Sequence, residues 1–131
     1  MSLPLWCLFI AALLVIMSKW PAMKVMAAMK GGYDNNHPRA QQANLTGAGA
    51  RGIAAHQNTI EAFPMFAAGV IVAEVFAAGS MVASLLAMAF IVSRVVYIGL
   101  YVGNVASLRS IVWAVGYLAS LGLLLAPVYG A

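Results

Sequence analysis

Four apolar stretches, each close to the length that crosses a bilayer, constrain this chain more than any other feature of its sequence. They run from Leu3 to about Met29, from about Ala48 to Ala78, from about Met81 to Val102 and from about Ile111 to Val128. An α-helix rises about 1.5 Å per residue, so about 20 residues cover the ~30 Å hydrocarbon layer. No water is present there to satisfy backbone N–H and C=O groups, so an unbroken apolar run of this length has to be helical. Only 8% of the 131 residues are charged and 64% are hydrophobic, whereas soluble domains carry about one quarter charged residues. The expected architecture is an all-α integral membrane protein, a four-transmembrane-helix bundle formed by one domain over residues 1–131.

The net charge of +4 does not point to nucleic acid, because its sources are scattered. Lys19, Lys24, Lys30, Arg39, Arg51, Arg94 and Arg109 sit near span ends, with no basic run or interleaved aromatics to follow a phosphate backbone. Every one lies in or beside the loop after span one or the connection after span three. The positive-inside bias then puts both termini outside and these two loops in the cytoplasm. Cys7 is single and within an apolar run, which suits a small buried side chain better than a disulfide. The first residues, MSLPLW, lack a basic n-region, so the apolar start is read as the first span and not as a cleaved signal.

Polar residues inside or at the mouth of these spans are the candidate functional residues, since each is costly to desolvate without a partner. Span two opens with RGIAAHQNTIEAFPMF, Arg51 to Phe66. At about 100° per residue, Arg51, Asn58 and Glu61 fall within roughly 80° of one another, while His56 points elsewhere. An N-terminal turn with an acid at the positive end of the helix would explain Asn58 and Glu61 equally well. Glu74 is the other acid of this span, read as lying at the far interface or, on a sharper reading, as a proton or cation relay. Span three ends with Arg94, Tyr97 and Tyr101 within roughly 60° of one another, which is either a second polar stripe or an aromatic belt with a snorkelling arginine. Gly99 and Gly103 add a small-residue face for close helix approach. Pro21 marks a possible kink in span one, and the connection Asn104–Leu108 leads to Arg109 and Ser110.

The segment from Lys30 to Gly49 is rich in turn formers and reads as an aqueous loop. His37 lies in it with no second ligand at metal spacing, and no metal is expected. One end of the bundle thus gathers Lys30, Arg51, Asn58, Glu61, Arg94, Tyr97, Tyr101, Arg109 and Ser110. Several cations with one acid suit a small ligand bearing carboxylates and an ammonium, the charge pattern of glutathione. An arginine near its sulfur would favour the nucleophilic thiolate.

The segment A-H-Q-N-T-I-E-A-F-P-M-F, with R-V-V-Y-I-G-L-Y downstream and R-S opening the last span, resembles the MAPEG family of membrane-associated proteins in eicosanoid and glutathione metabolism. The similarity covers essentially the whole chain, and N-x-x-E-x-x-P in span two is its most specific part. The resemblance implies a bacterial member, in the inner membrane, built as a homotrimer of four-helix protomers, with glutathione as co-substrate bound between neighbours at the cytoplasmic side. It assigns Asn58, Glu61, Tyr97 and Tyr101 to the glutathione site, Arg109 with Ser110 to the start of the last span where the thiolate-stabilising arginine sits, and Lys30 more loosely to the end of span one. Arg94 matches a structural arginine. Eicosanoid-pathway members commonly carry arginine where this chain has Ala54, and Arg51 is the candidate substitute.

The expected function is a glutathione-dependent enzyme, a transferase or hydroperoxide reductase, with an apolar crevice for a lipophilic second substrate. Two other classes fit the sequence: a small four-span exporter of lipophilic cations coupled through Glu74, and a catalytically silent membrane module of the same fold. Loss of function on Glu74→Gln, with Glu61→Gln harmless, would single out the exporter.

Overall fold

A computed structural model describes residues 1–130, and among them the chain forms α1 (Leu3–Met17), α2 (Trp20–Ala28), α3 (Pro38–Ala43), α4 (Gly47–Phe76), α5 (Met81–Val102), α6 (Ala106–Leu124) and α7 (Ala126–Tyr129). Four rods are long and apolar enough to cross a membrane: α1 continued by α2, then α4, α5 and α6. The span-three boundaries match those expected from sequence.

The break in the first rod follows from Pro21, which has no N–H and whose ring crowds the carbonyl of the residue four positions earlier, Met17. Ser18 N still reaches Leu14 O at 2.8 Å, but Lys19 N falls back on Ile16 O at 3.2 Å. The kink therefore lies at Ser18–Lys19, just ahead of the proline that causes it. Ser18 is buried, and its hydroxyl donates to Val15 O at 2.8 Å.

At 30 residues, α4 is about 45 Å long and exceeds the ~30 Å hydrocarbon layer, so one end must emerge. The N-terminal end is held by its own small core, in which Ala22 and Met26 of α2 pack with Leu45 and, from α4, Ala50 and Ile53. Contact there is so close that a Cβ on Gly52 would stand 2.9 Å from Ala22 N. The larger core joins Cys7 and Ala11 of α1 to Phe66, Val70, Phe90 and Leu123, with the Phe66 and Phe90 rings stacked at 3.8 Å.

Glycines set how near α6 comes to its neighbours. A Cβ on Gly69 would lie 2.8 Å from Leu123 Cβ, and one on Gly116 would lie 2.5 Å from Ser93 Oγ. The face expected to do this, Gly99 and Gly103, does not do so within the chain: a Cβ on Gly99 meets nothing within 4 Å, and Gly103 is the C-cap of α5. Small residues bring helices together only where they already face one another.

Three features differ from the sequence reading, the first being the end of span four, where α6 stops at Leu124 and the separate short α7 replaces the expected run to Val128. Asn104, at φ 62, turns the chain quickly enough for α6 to begin at Ala106, so Arg109 and Ser110 lie inside its first turns and not at the end of a connector. The expected loop also contains α3, held by Asp34 Oδ1, which accepts from Asn36 N and His37 N at 2.9 Å each, and by Gln41 Nε2, which donates to Gly32 O at 2.8 Å. At the opposite end of the bundle Ser2, the N-cap of α1, donates its hydroxyl to Glu74.

Replacing Gly69 with valine is expected to destabilise the fold by about 1–3 kcal/mol through overpacking. Thermal unfolding in detergent would show this as a lowered midpoint, and an unchanged midpoint would contradict the tight α4–α6 contact.

Candidate functional site

The site grows from one buried cation. Arg94 on α5 is only 3% exposed, and a guanidinium can only donate hydrogen bonds. Its Nη1 donates to Asn58 Oδ1 at 3.0 Å and its Nη2 to Thr59 Oγ1 at 3.1 Å, both on α4. Thr59 passes its own hydrogen to Ala55 O at 2.8 Å. Asn58 Nδ2 lies 3.5 Å from Glu61 Oε2, a long contact that points the amide at the carboxylate. The guanidinium carbon stands 4.2 Å above the Tyr97 ring, which supplies the electron-rich face that a desolvated cation favours. Arg94 Nε is buried without a partner, and beside it Thr59 and Phe63 help line a cavity of about 10 Å³, close to the room one water needs.

Around this cluster α4, α5 and α6 enclose a pocket of about 210 Å³. Asn58, Glu61 and Arg94 form its polar side, and Met65, Phe90, Trp113 and Tyr117 its apolar side. Trp113 and Tyr117, one turn apart on α6, stack at 5.1 Å. The volume is below the ~300–1,000 Å³ of sites that enclose a drug-sized ligand.

A second group stands beside the first. Tyr97 and Tyr101 meet edge to face at 5.6 Å, and the Arg109 guanidinium lies 4.1 Å over the Tyr101 ring, tying α6 to α5. Arg94, Tyr97, Tyr101 and Arg109 thus form a ladder of alternating cation and ring contacts. Tyr97, Tyr101 and Arg109 do not line the Asn58 pocket.

The remaining candidates are placed differently. Arg51 Nε donates to Val102 O at 3.0 Å, satisfying a carbonyl at the end of α5 that has no intrahelical donor. Ser110 Oγ returns to Ala106 O at 3.3 Å, and Lys30 is exposed just beyond α2. Glu74 lies near the end of α4, engaged by Ser2. His56 turns away from the Asn58 face, with Nδ1 2.9 Å from Ser18 Oγ. His37 meets Asp34 at 3.7 Å on the surface. Among the described residues no group of three or more His, Cys, Asp and Glu side chains is placed to hold a metal ion.

Trp113 and Tyr117, in the pocket wall, and Thr59, behind it as an acceptor for Arg94, carry roles that spacing did not assign. The Trp113–Tyr117 pair was detectable as an i, i+4 aromatic pair on a membrane helix. Thr59 was not, because its partner belongs to another helix.

A family model described as the MAPEG family matches residues 3–129. Searches of curated proteins and of solved structures return no match.

Thr59→Val keeps the side-chain shape but removes the acceptor of Arg94 Nη2, leaving a buried donor unpaired at a cost of about 1–3 kcal/mol. Its unfolding midpoint should fall, and Thr59→Ser should restore it. A Thr59→Val protein as stable as the wild type would show that the Arg94 network does not hold α5 to α4.

Proposed function

This chain is a multi-pass integral membrane protein of the MAPEG family, and from that premise we propose that it is a glutathione-dependent enzyme acting on a lipophilic second substrate. The family includes glutathione transferases and related membrane proteins. The observation that carries the reading is the Arg94–Asn58–Glu61 cluster opening into a pocket whose other wall is apolar. Glu61 offers a carboxylate to the ligand's ammonium, and Asn58 offers a donor to one of its acceptors. Lys30 and Arg51, at the same end of the bundle, supply the positive charge for the ligand's carboxylates.

Arg109 is the proposed catalytic residue. A guanidinium close to sulfur stabilises the thiolate over the thiol, and the thiolate is the attacking form. In conjugation the thiolate sulfur forms the new C–S bond, and the electrophile releases its leaving group or takes up a proton. With a hydroperoxide, two glutathiones give up two electrons to become the disulfide, while the O–O bond is reduced to alcohol and water. Tyr97 and Tyr101 hold the two arginines in register, Ser110 stands beside Arg109, and Met65, Phe90, Trp113 and Tyr117 provide the dry wall against which the second substrate rests.

A homotrimer completes this reading. Glu61 is exposed on the isolated protomer although it stands beside the buried Arg94 cluster on a membrane-spanning helix, where a carboxylate needs protein, ligand or water around it. The pocket of one protomer is also too small for a tripeptide, so the ligand extends across the boundary to a neighbour. The exporter reading has less support, because it needs an acid in mid-membrane and Glu74 is bonded to Ser2 near the end of the rod.

Glutathione at about ten times its Kd should stabilise the solubilised protein by about 1.4 kcal/mol, seen as a raised unfolding midpoint. Glu61→Ala should abolish the rise, whereas Arg109→Ala should retain it and lose the ultraviolet absorbance of bound thiolate. No shift in the wild type at millimolar glutathione would end the enzyme reading. Binding without thiolate in the wild type would favour the silent module.

A further inference from the structure

We propose that Arg94 is a positioning residue: it holds the Asn58 amide with its oxygen turned inward, so that Asn58 meets a ligand only as a hydrogen-bond donor, beside Glu61 as acceptor. The ligand's identity rests on the glutathione reading above, but the orientation of Asn58 does not.

An asparagine side chain donates at one corner and accepts at the other with almost the same shape, so what it recognises depends on which corner faces the ligand. Here the choice is forced. Nη1 of Arg94 stands 3.0 Å from the Asn58 amide, and only an oxygen can accept from it. Thr59 cannot relieve a flipped Asn58, because its oxygen already accepts from Nη2 at 3.1 Å while its hydrogen goes to Ala55 O. Turning Asn58 over would press an amide NH₂ against a guanidinium NH₂ beside a side chain that is 3% exposed, leaving donors unpaired. The unflipped amide directs Nδ2 toward Glu61 Oε2, with a second N–H free for the pocket that both residues line.

The pocket rim thus shows an N–H next to a carboxylate. The complementary group is a hydrogen-bond acceptor beside a cationic donor, as in an α-amino carboxylate. A group that is only anionic would meet Glu61 as a like charge. Arginine is required for the positioning because its planar fork engages adjacent residues of α4 together, which a lysine ammonium, a point charge, does not.

Asn58→Asp separates this proposal from a purely structural contact. The aspartate still offers Arg94 an oxygen, so the ligand-free protein should unfold at or above the wild-type temperature. In an Arg94→Met background the same substitution should lower the midpoint, and Arg94→Gln, which retains a donor, replaces Arg94→Met if that protein does not fold. Glutathione affinity of Asn58→Asp should fall by at least about tenfold, because the donor is lost and two carboxylates then face the ligand. Affinity within about twofold of the wild type would overturn the donor role, and equal midpoint changes in both backgrounds would overturn the positioning by Arg94. Should the wild type bind no glutathione, the glutathione reading fails, and the ligand-free comparison still decides the orientation.

Discussion

A guanidinium buried among membrane helices is the constraint from which the rest of the arrangement follows. Desolvating such an ion costs several kcal/mol even after relaxation. Arg94 is tolerated because two oxygens of α4 and the face of Tyr97 surround it. Those contacts fix the register of α5 against α4, since a shift of one residue would take Asn58 and Thr59 away from the fork together. On the proposed function, stability and recognition share the same atoms: the bond that holds the two helices also turns Asn58 toward Glu61.

The remaining helices set the depth and the walls of that cluster. Pro21 breaks the first rod, and α2 packs through Ala22 and Met26 on the emergent half of α4, with Gly52 letting the two backbones close up. His56 reaches from α4 to the break at Ser18, so the kink and the helix that carries Asn58 are tied together. On the other side α6 nests on Gly69 and against Ser93 through its own Gly116, which brings Trp113 and Tyr117 opposite Glu61. A wider α6 contact would open the pocket to lipid. These close approaches set the polar and apolar walls of the pocket side by side.

Much of this was legible in the sequence because the relevant signals are local. Apolar length located the rods, and Met81–Val102 was placed correctly because Ser80 caps it and Gly103 ends it. Helical spacing put Asn58 and Glu61 on one face and Arg94, Tyr97 and Tyr101 on another, and the chain brings those faces together through Asn58 and Arg94. What spacing did not reveal is pairing between elements distant in the chain. Arg51 lies on the Asn58 face, but its Nε is used by Val102 O. Spacing leaves Arg94 open between a polar stripe and a snorkelling arginine until Thr59 is known to lie opposite it. Gly99 has the pattern of a packing glycine and faces open space in the protomer. Turn formers around Asp34 hid the short α3.

The central claim is that the α4–α5 cluster around Arg94 is where glutathione binds. Amide hydrogen exchange of the detergent-solubilised protein with and without glutathione tests it most directly, because it reports position as well as occupancy. Exchange should slow in the turns carrying Asn58 to Glu61 and Arg94 to Tyr101, while the opposite end, where Ser2 meets Glu74, should not change. Protection confined to that opposite end, or no protection at millimolar glutathione, would contradict the account.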